Sequence, residues 1–161
     1  MNKKVPAVIQ RVHELFKKKG LTLSTAESCT GGLISHFITT LPGASIFFEA
    51  GVVSYSADAK KEILGVSSDI ISKYGVVSEE TAREMAEKVR TLAQTDFSVS
   101  TTGNLGPDVL EAKEKGLVYI GVSREGETFT KELRLKGNRE ENKSEVAFEA
   151  LKFLVEMVES F

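Results

Sequence analysis

Two hydrophobic periodicities alternate along this chain, and that alternation constrains its fold more than any other feature. Residues 5–19, VPAVIQRVHELFKKK, place Val5, Val8, Ile9, Val12, Leu15 and Phe16 on one helical face. Gly20 supplies a C-cap, and LTLSTAE follows as a short strand. From Thr30, TGGLISHFITTL predicts a helix burying Leu33, Ile34, Phe37, Ile38 and Leu41, with His36 on its polar side and Pro42-Gly43 at its end. SIFFEAGVVSYS (45–56) predicts one strand or two short ones, DAKKEILG a short helix, and residues 68–75 another helix ending at Gly75. Ser78, with Glu79, Glu80 and Thr81, opens a helix through about Ala93 that turns Ala82, Met85, Ala86, Val89 and Leu92 inward.

The second half continues the pattern. DFSVSTTG (96–103) reads as a strand running into a glycine turn, and NLGPDVLEAKEKG as a polar loop. LVYIGVS and ETFTKELRL form a hairpin around Arg124–Gly126, and Arg139–Phe161 is a long amphipathic helix. Strands interleaved with helices over 161 residues predict one α/β sandwich domain on a mixed or mostly parallel sheet.

Composition narrows the function classes. A net charge of −2 without a basic run gives no general pull toward nucleic acid. Cys29 is the single cysteine, so no intrachain disulfide forms and a reducing cytoplasm is the expected compartment. The basic residues within 1–20 are interleaved with apolar ones at helical spacing, unlike a signal peptide, and no later stretch spans a bilayer. His13 and His36 sit outside any Cys/His/carboxylate cluster, so no metal site is expected.

Two strand-to-turn junctions, TLSTAESCTGG and SVSTTGNLGP, concentrate small polar residues and glycines. Ligands of open α/β sheets settle at the carboxyl ends of strands, so two such loops from parallel strands flank one pocket. The first also opens a helix, whose N–H groups suit an anion or an oxyanion. Neither a G-x-G-x-x-G nor a G-x-x-x-x-G-K-[ST] pattern is present, and Gly31 and Gly32 equally suit close helix–sheet packing.

Within TAESCTGG, Ser28 and Cys29 compete as nucleophile. No histidine stands near Cys29 in sequence to activate it, and a free cysteine also serves as a small buried hydrophobe. Ser28 also reads as an N-cap, with Thr30 as the rival cap. The base available to a serine is a lysine kept neutral by desolvation. SYSADAK offers Lys60 beside Tyr55, against the alternative of a solvated lysine and a half-buried strand aromatic. Glu27 either orients Lys60 or bonds to backbone N–H groups. Thr101, Thr102 and Asn104 bind polar substrate groups or satisfy their turn. Arg139, at a helix start in GNRE, takes a phosphate or a surface carboxylate.

Together TAESCTGGLIS, LPGASIFFEAGVVSYSADAKKEILGV, YGVVSEETAREMA, TTGNLGP and GNRE resemble the CinA C-terminal domain family, in family order and over nearly the whole chain. The family includes bacterial nicotinamide mononucleotide deamidases. The resemblance implies a single three-layer α/β/α domain over residues 1–161 that hydrolyses the carboxamide of nicotinamide mononucleotide to nicotinate mononucleotide and ammonia. It puts the catalytic serine, lysine and tyrosine on Ser28, Lys60 and Tyr55, with proton transfer direct or through Tyr55. N–H groups near Thr30–Gly32 would hold the oxyanion. The implied substrate-binding set is Glu27, Thr30, Gly31, Gly32, Ser45, Thr102, Gly103, Asn104 and Arg139. No cofactor or metal is implied. The expected partners are a small nucleotide and further copies of the chain, as a homodimer or larger assembly, without nucleic acid or membrane. The chain is expected to be the stand-alone form of a domain that often follows a larger one.

The second loop departs from the family pattern, T-G-I-A-G-P, a Gly-Gly pair and Lys-Pro-x-Gly. Here Asn104-Leu105 replace Ile-Ala, Val109-Leu110 stand at the glycines, and Glu114 replaces the proline. The loop is expected to border the nucleotide and to alter its binding. The alternative readings are therefore a non-catalytic or regulatory nucleotide-binding module, or an amidase with a different substrate.

Overall fold

The structure, a computed structural model, describes residues 4–161. One five-stranded sheet runs in the order β2-β1-β3-β4-β5, built from β1 (Leu23–Glu27), β2 (Phe48–Val53), β3 (Phe97–Gly103), β4 (Leu117–Arg124) and β5 (Glu127–Arg134). β1 pairs in parallel with both β2 and β3, while β4 lies antiparallel to β3 and to β5. The sheet is therefore mixed, with β4 alone opposing the common direction.

Helices cover both faces. α1 (Lys4–Lys19), α2 (Leu33–Thr40) and α6 (Arg139–Glu159) bury the main core against Leu23, Phe97, Val99, Ile120 and Val122. α1 presents the stripe that its spacing dictates, though Val8 is only partly covered. On the other face α5 (Glu79–Ala93) packs Met85 and Val89 against Ala26, Leu64 and Val66. Its stripe ends at Val89, and Leu92, expected inward, is 60% exposed.

β3 shows how a strand half made of serine and threonine becomes buried from Phe97 to Thr102. Phe97 and Val99 enter the main core, while Ser98 Oγ and Ser100 Oγ donate to the Ala86 and Ala82 carbonyls of α5 at 2.5 and 2.6 Å. Each buried hydroxyl thus keeps an acceptor. The close approach also needs Gly121, where a Cβ would stand 2.6 Å from the Ala82 carbonyl.

One local expectation is corrected and two are sharpened. The helix placed from Thr30 begins at Leu33, because Gly31 (φ 58°) and Gly32 (φ 103°) hold a left-handed turn before it. SIFFEAGVVSYS gives a 3₁₀ turn, Ala44–Ile46, and the single strand β2. DAKKEILG gives α3 (Ala57–Ala59), which runs directly into a π-helical turn over Lys60–Leu64. α4 (Ser68–Tyr74) then leads to α5, with Ser78 capping the latter at Thr81 N.

The crossovers set the position of the site. From β1 the chain passes by α2 to β2 on one face, then by α4 and α5 on the other to β3. The carboxyl ends of β1 and β3 lie side by side, Glu27 in register with Thr101, and Ser28 N extends the pairing to the Thr101 carbonyl at 3.1 Å. A crevice forms where adjacent parallel strands send their chains to opposite sides.

Candidate active site

Ser28 follows the last residue of β1, and Glu27 controls the turn that carries it. The Glu27 carboxylate is fully buried and accepts four hydrogen bonds: Thr30 Oγ1 at 2.7 Å, Ile34 N at 2.8 Å, Ser35 N at 3.0 Å and Ser35 Oγ at 2.7 Å. An acceptor at the first turn satisfies orphan N–H groups and matches the helix dipole. Glu27 therefore caps α2, and of its two readings this one holds: its bonds run to N–H and hydroxyl donors, none to Lys60. Neither Ser28 nor Thr30 is the cap, since the Thr30 hydroxyl bonds Glu27 and Thr101 Oγ1. Gly31 N is spent on the Ser28 carbonyl at 3.0 Å, whereas no acceptor among the described residues meets the N–H groups of Thr30 and Gly32.

Lys60 comes from the π turn after β2, 32 residues further along the chain. It is 1% exposed, and its Nζ lies 2.9 Å from Ser28 Oγ, 2.9 Å from the Ser54 carbonyl and 3.2 Å from the Tyr55 carbonyl. Burial disfavours the ammonium and lowers its pKa from 10.5 to about 8, against a smaller opposing pull from Cys29 and Glu111. A neutral amine has two N–H bonds and one lone pair. The two carbonyls only accept, so they take the N–H bonds and leave the lone pair for the Ser28 hydroxyl. Cys29 beside it is the reverse case: burial pushes its thiol up to about 12, so no thiolate is available near neutrality.

The phenol of Tyr55 does not join this pair. It is a 60%-exposed side chain whose hydroxyl accepts from Arg139 Nη2 at 2.9 Å, and it is the Tyr55 backbone that reaches Lys60. Arg139, the first residue of α6, also donates from Nη1 to the Gly106 carbonyl at 2.8 Å, bridging the two walls of the crevice. Between them lies a cavity of about 210 Å³ lined by Ser28, Cys29, Tyr55, Gly103, Asn104, Leu105, Asp108, Leu110 and Arg139.

The rest of the expected binding set is divided between the cavity and other places. Ser45 precedes β2 and so stands at the amino end of the sheet, on the order of 20 Å from the crevice by strand length. Thr102 is 1% exposed and donates from Oγ1 to the Val76 carbonyl at 2.6 Å, on the α5 side. Thr30 is fully buried in the turn, and Gly31 and Gly32 shape that turn. Gly103 lines the cavity. Asn104 also lines it, but its amide is spent on Leu110, whose N–H it accepts at 2.9 Å and whose carbonyl it meets at 3.2 Å.

Sequence reasoning missed the carbonyls of Ser54 and Tyr55, since every residue has a carbonyl. It also missed Asp108 and Leu110 as wall residues, although Val109-Leu110 were visible as the departure in that loop.

The family model of the CinA C-terminal domain matches residues 6–158. A protein of Caldanaerobacter subterraneus subsp. tengcongensis, named for competence and damage induction, is 51% identical over 130 residues, covering 80% of this chain and 32% of its own length. A CinA-like protein of Kosmotoga olearia is 45% identical over 144 residues, 89% of this chain and 35% of its own. The chain thus spans about a third of the length of the curated relatives it matches. Among solved structures, the competence/damage inducible protein CihA from Agrobacterium tumefaciens is 34% identical with a TM-score of 0.92, covering 96% of each chain.

Proposed function

The chain belongs to the CinA C-terminal domain family, and we propose that it is a serine–lysine amidohydrolase that releases ammonia from nicotinamide mononucleotide. One observation carries this reading: a lysine 1% exposed, held by two carbonyls, with its Nζ 2.9 Å from a serine hydroxyl at a cavity wall. The resemblance names the nucleotide; the geometry supports the chemistry.

In that reaction Ser28 Oγ attacks the carboxamide carbon while its proton passes to the lone pair of Lys60, directly and without the Tyr55 phenol. The oxyanion of the tetrahedral adduct is met by N–H groups of the turn that follows Ser28. The C–N bond breaks as Lys60 returns the proton to the departing nitrogen, giving ammonia and an acyl-serine. Water, deprotonated by the same amine, then attacks the ester and restores Ser28. The products are nicotinate mononucleotide and ammonia.

A second reading keeps the chemistry and changes the substrate to another carboxamide. It is favoured by Leu110 in the cavity wall, where the family pattern has glycine. Incubating the purified chain with nicotinamide mononucleotide and measuring ammonia tests the first reading. Release that disappears in Ser28→Ala and Lys60→Met supports it. No release, with release from another carboxamide in a wider panel, replaces it by the second.

A further inference from the structure

Residues 104–116 form a loop closed at its base. Asn104 N donates to the Leu117 carbonyl at 2.9 Å, and Gly116 N to the Asn104 carbonyl at 2.7 Å. Such a compact loop with adjacent ends is an Ω-loop, and these are rigid only where their own groups are tied down. This one is tied at several points. Asn142 Nδ2 of α6 donates to the Leu105 carbonyl at 3.0 Å, and Arg139 holds Gly106. Asn104 clasps Leu110 from both sides. The Glu111 carboxylate then accepts from Val76 N and Val77 N at 2.8 and 2.9 Å, and Lys113 Nζ donates to the Tyr74 and Val77 carbonyls at 2.7 and 2.6 Å.

Left-handed backbone in this segment falls on Gly106 and Gly116 and, among residues with a side chain, on Glu111 (φ 60°) and Ala112 (φ 52°), with ordinary φ at Val109 and Leu110. Those two side chains are therefore accommodated without strain, and the unusual backbone is matched by the Glu111 bonds. The opposing surface is cut to fit: Gly75 has φ 85°, and a Cβ there would run into the Glu111 carboxylate.

The consequence is an apolar residue whose backbone is held in place at the cavity wall. Leu110 is 56% exposed, its backbone is fixed on both sides, and it lines the same space as Ser28 with Leu105 beneath. Exposed apolar area of this kind gains free energy when a flat apolar surface covers it. The cavity holds about 210 Å³, below the roughly 300–1,000 Å³ usual for sites that enclose a whole small ligand. It therefore takes one ring and its carboxamide, and anything larger leaves past Tyr55, Asp108 and Arg139, which are exposed.

We propose that Leu110 is a specificity-determining residue, a fixed wall that packs on the ring of the substrate and restricts it to monocyclic aromatic carboxamides. This rests on the amidohydrolase reading and names its substrate class.

Leu110→Gly tests it, with ammonia release measured from nicotinamide mononucleotide and from quinoline-3-carboxamide. Loss of the wall should raise KM for the mononucleotide about tenfold while kcat falls by no more than about threefold, and should shift relative kcat/KM toward the bicyclic amide. An unchanged KM, or an unchanged preference between the two amides, overturns the proposal. If the wild-type chain releases no ammonia from the mononucleotide, the deamidase reading fails and the wall is judged by binding alone. Nicotinamide is then titrated by ligand-observed NMR into Ser28→Ala and Ser28→Ala/Leu110→Gly. Weakening of about tenfold in the double variant upholds the wall, and equal binding, or none to either protein, overturns it.

Discussion

The amine of Lys60 and the hydroxyl of Ser28 stand 2.9 Å apart, and the backbone carbonyls of Ser54 and Tyr55 fix the amine at that distance. The pairing joins a buried amine to the loop after β1, and its cost and its use both follow from burial.

The pH dependence follows from the state of that amine. Lys60 acts as a base only when neutral, and its pKa is lowered to about 8 by burial. Ammonia release should therefore rise with pH, about tenfold per unit at low pH, and level off above about 8. A rate independent of pH between 6 and 8 would remove Lys60 as the base.

Stability carries the same group with its own sign. Lys60 is protonated to pH 10.5 when unfolded and to about 8 when folded, so between those values the unfolded chain holds more protons and stability rises with pH. Below about 8 the penalty is complete, on the order of 3 kcal/mol. Lys60→Met should abolish turnover yet raise the urea midpoint at pH 7, with the gain shrinking toward pH 10.5. A loss of stability that is equal at both pH values would contradict this account.

Cys29 should be a bystander to the proton transfer. Its thiol is pushed up to about 12 by burial, so native protein should resist iodoacetamide at pH 7.5 while urea-unfolded protein is alkylated. Cys29→Ala should keep kcat within about threefold, whereas Ser28→Ala should lose about a thousandfold or more. Steady-state kinetics decide, and the opposite pattern would move the nucleophile to Cys29.

Glu27→Gln should damage the fold and the site together. The amide replaces one acceptor oxygen with a donor facing the donors of Ser35 or of Thr30 and Ile34. Leaving buried donors unmatched costs about 2–4 kcal/mol here, readable as a lower urea midpoint. The Ser28 turn should loosen with it and kcat should fall.

Tyr55→Phe separates a relay from a wall. Its hydroxyl meets Arg139 and not Lys60, so the variant should keep kcat within about threefold and raise KM. A kcat loss of about a hundredfold or more would restore the phenol to the proton path.

How legible this was varies by element. The stripe Val5–Phe16 and the β-branched runs announced helices and strands, because burial of a periodic face leaves its period in the sequence. The two junctions after β1 and β3 announced a crevice, because ligands of open α/β sheets settle where parallel strands end. Ser45 shows the limit: a motif residue close to β2 in sequence lies at the amino end of the sheet, away from the crevice. Thr102 and Asn104 show another, since a polar side chain at a site mouth is equally fit to bond its own scaffold.

What the sequence determined by itself was the α/β layering, the family pattern and the residue types available at the crevice. What only the tertiary structure decided was their state and aim. A lysine and a serine 32 positions apart become a base and a nucleophile through burial and two carbonyls that no residue code specifies. Glu27 becomes a helix cap and Leu110 a cavity wall by the same route. Pattern is local and survives in sequence, whereas desolvation and hydrogen-bond direction belong to contacts that exist only once distant segments have packed.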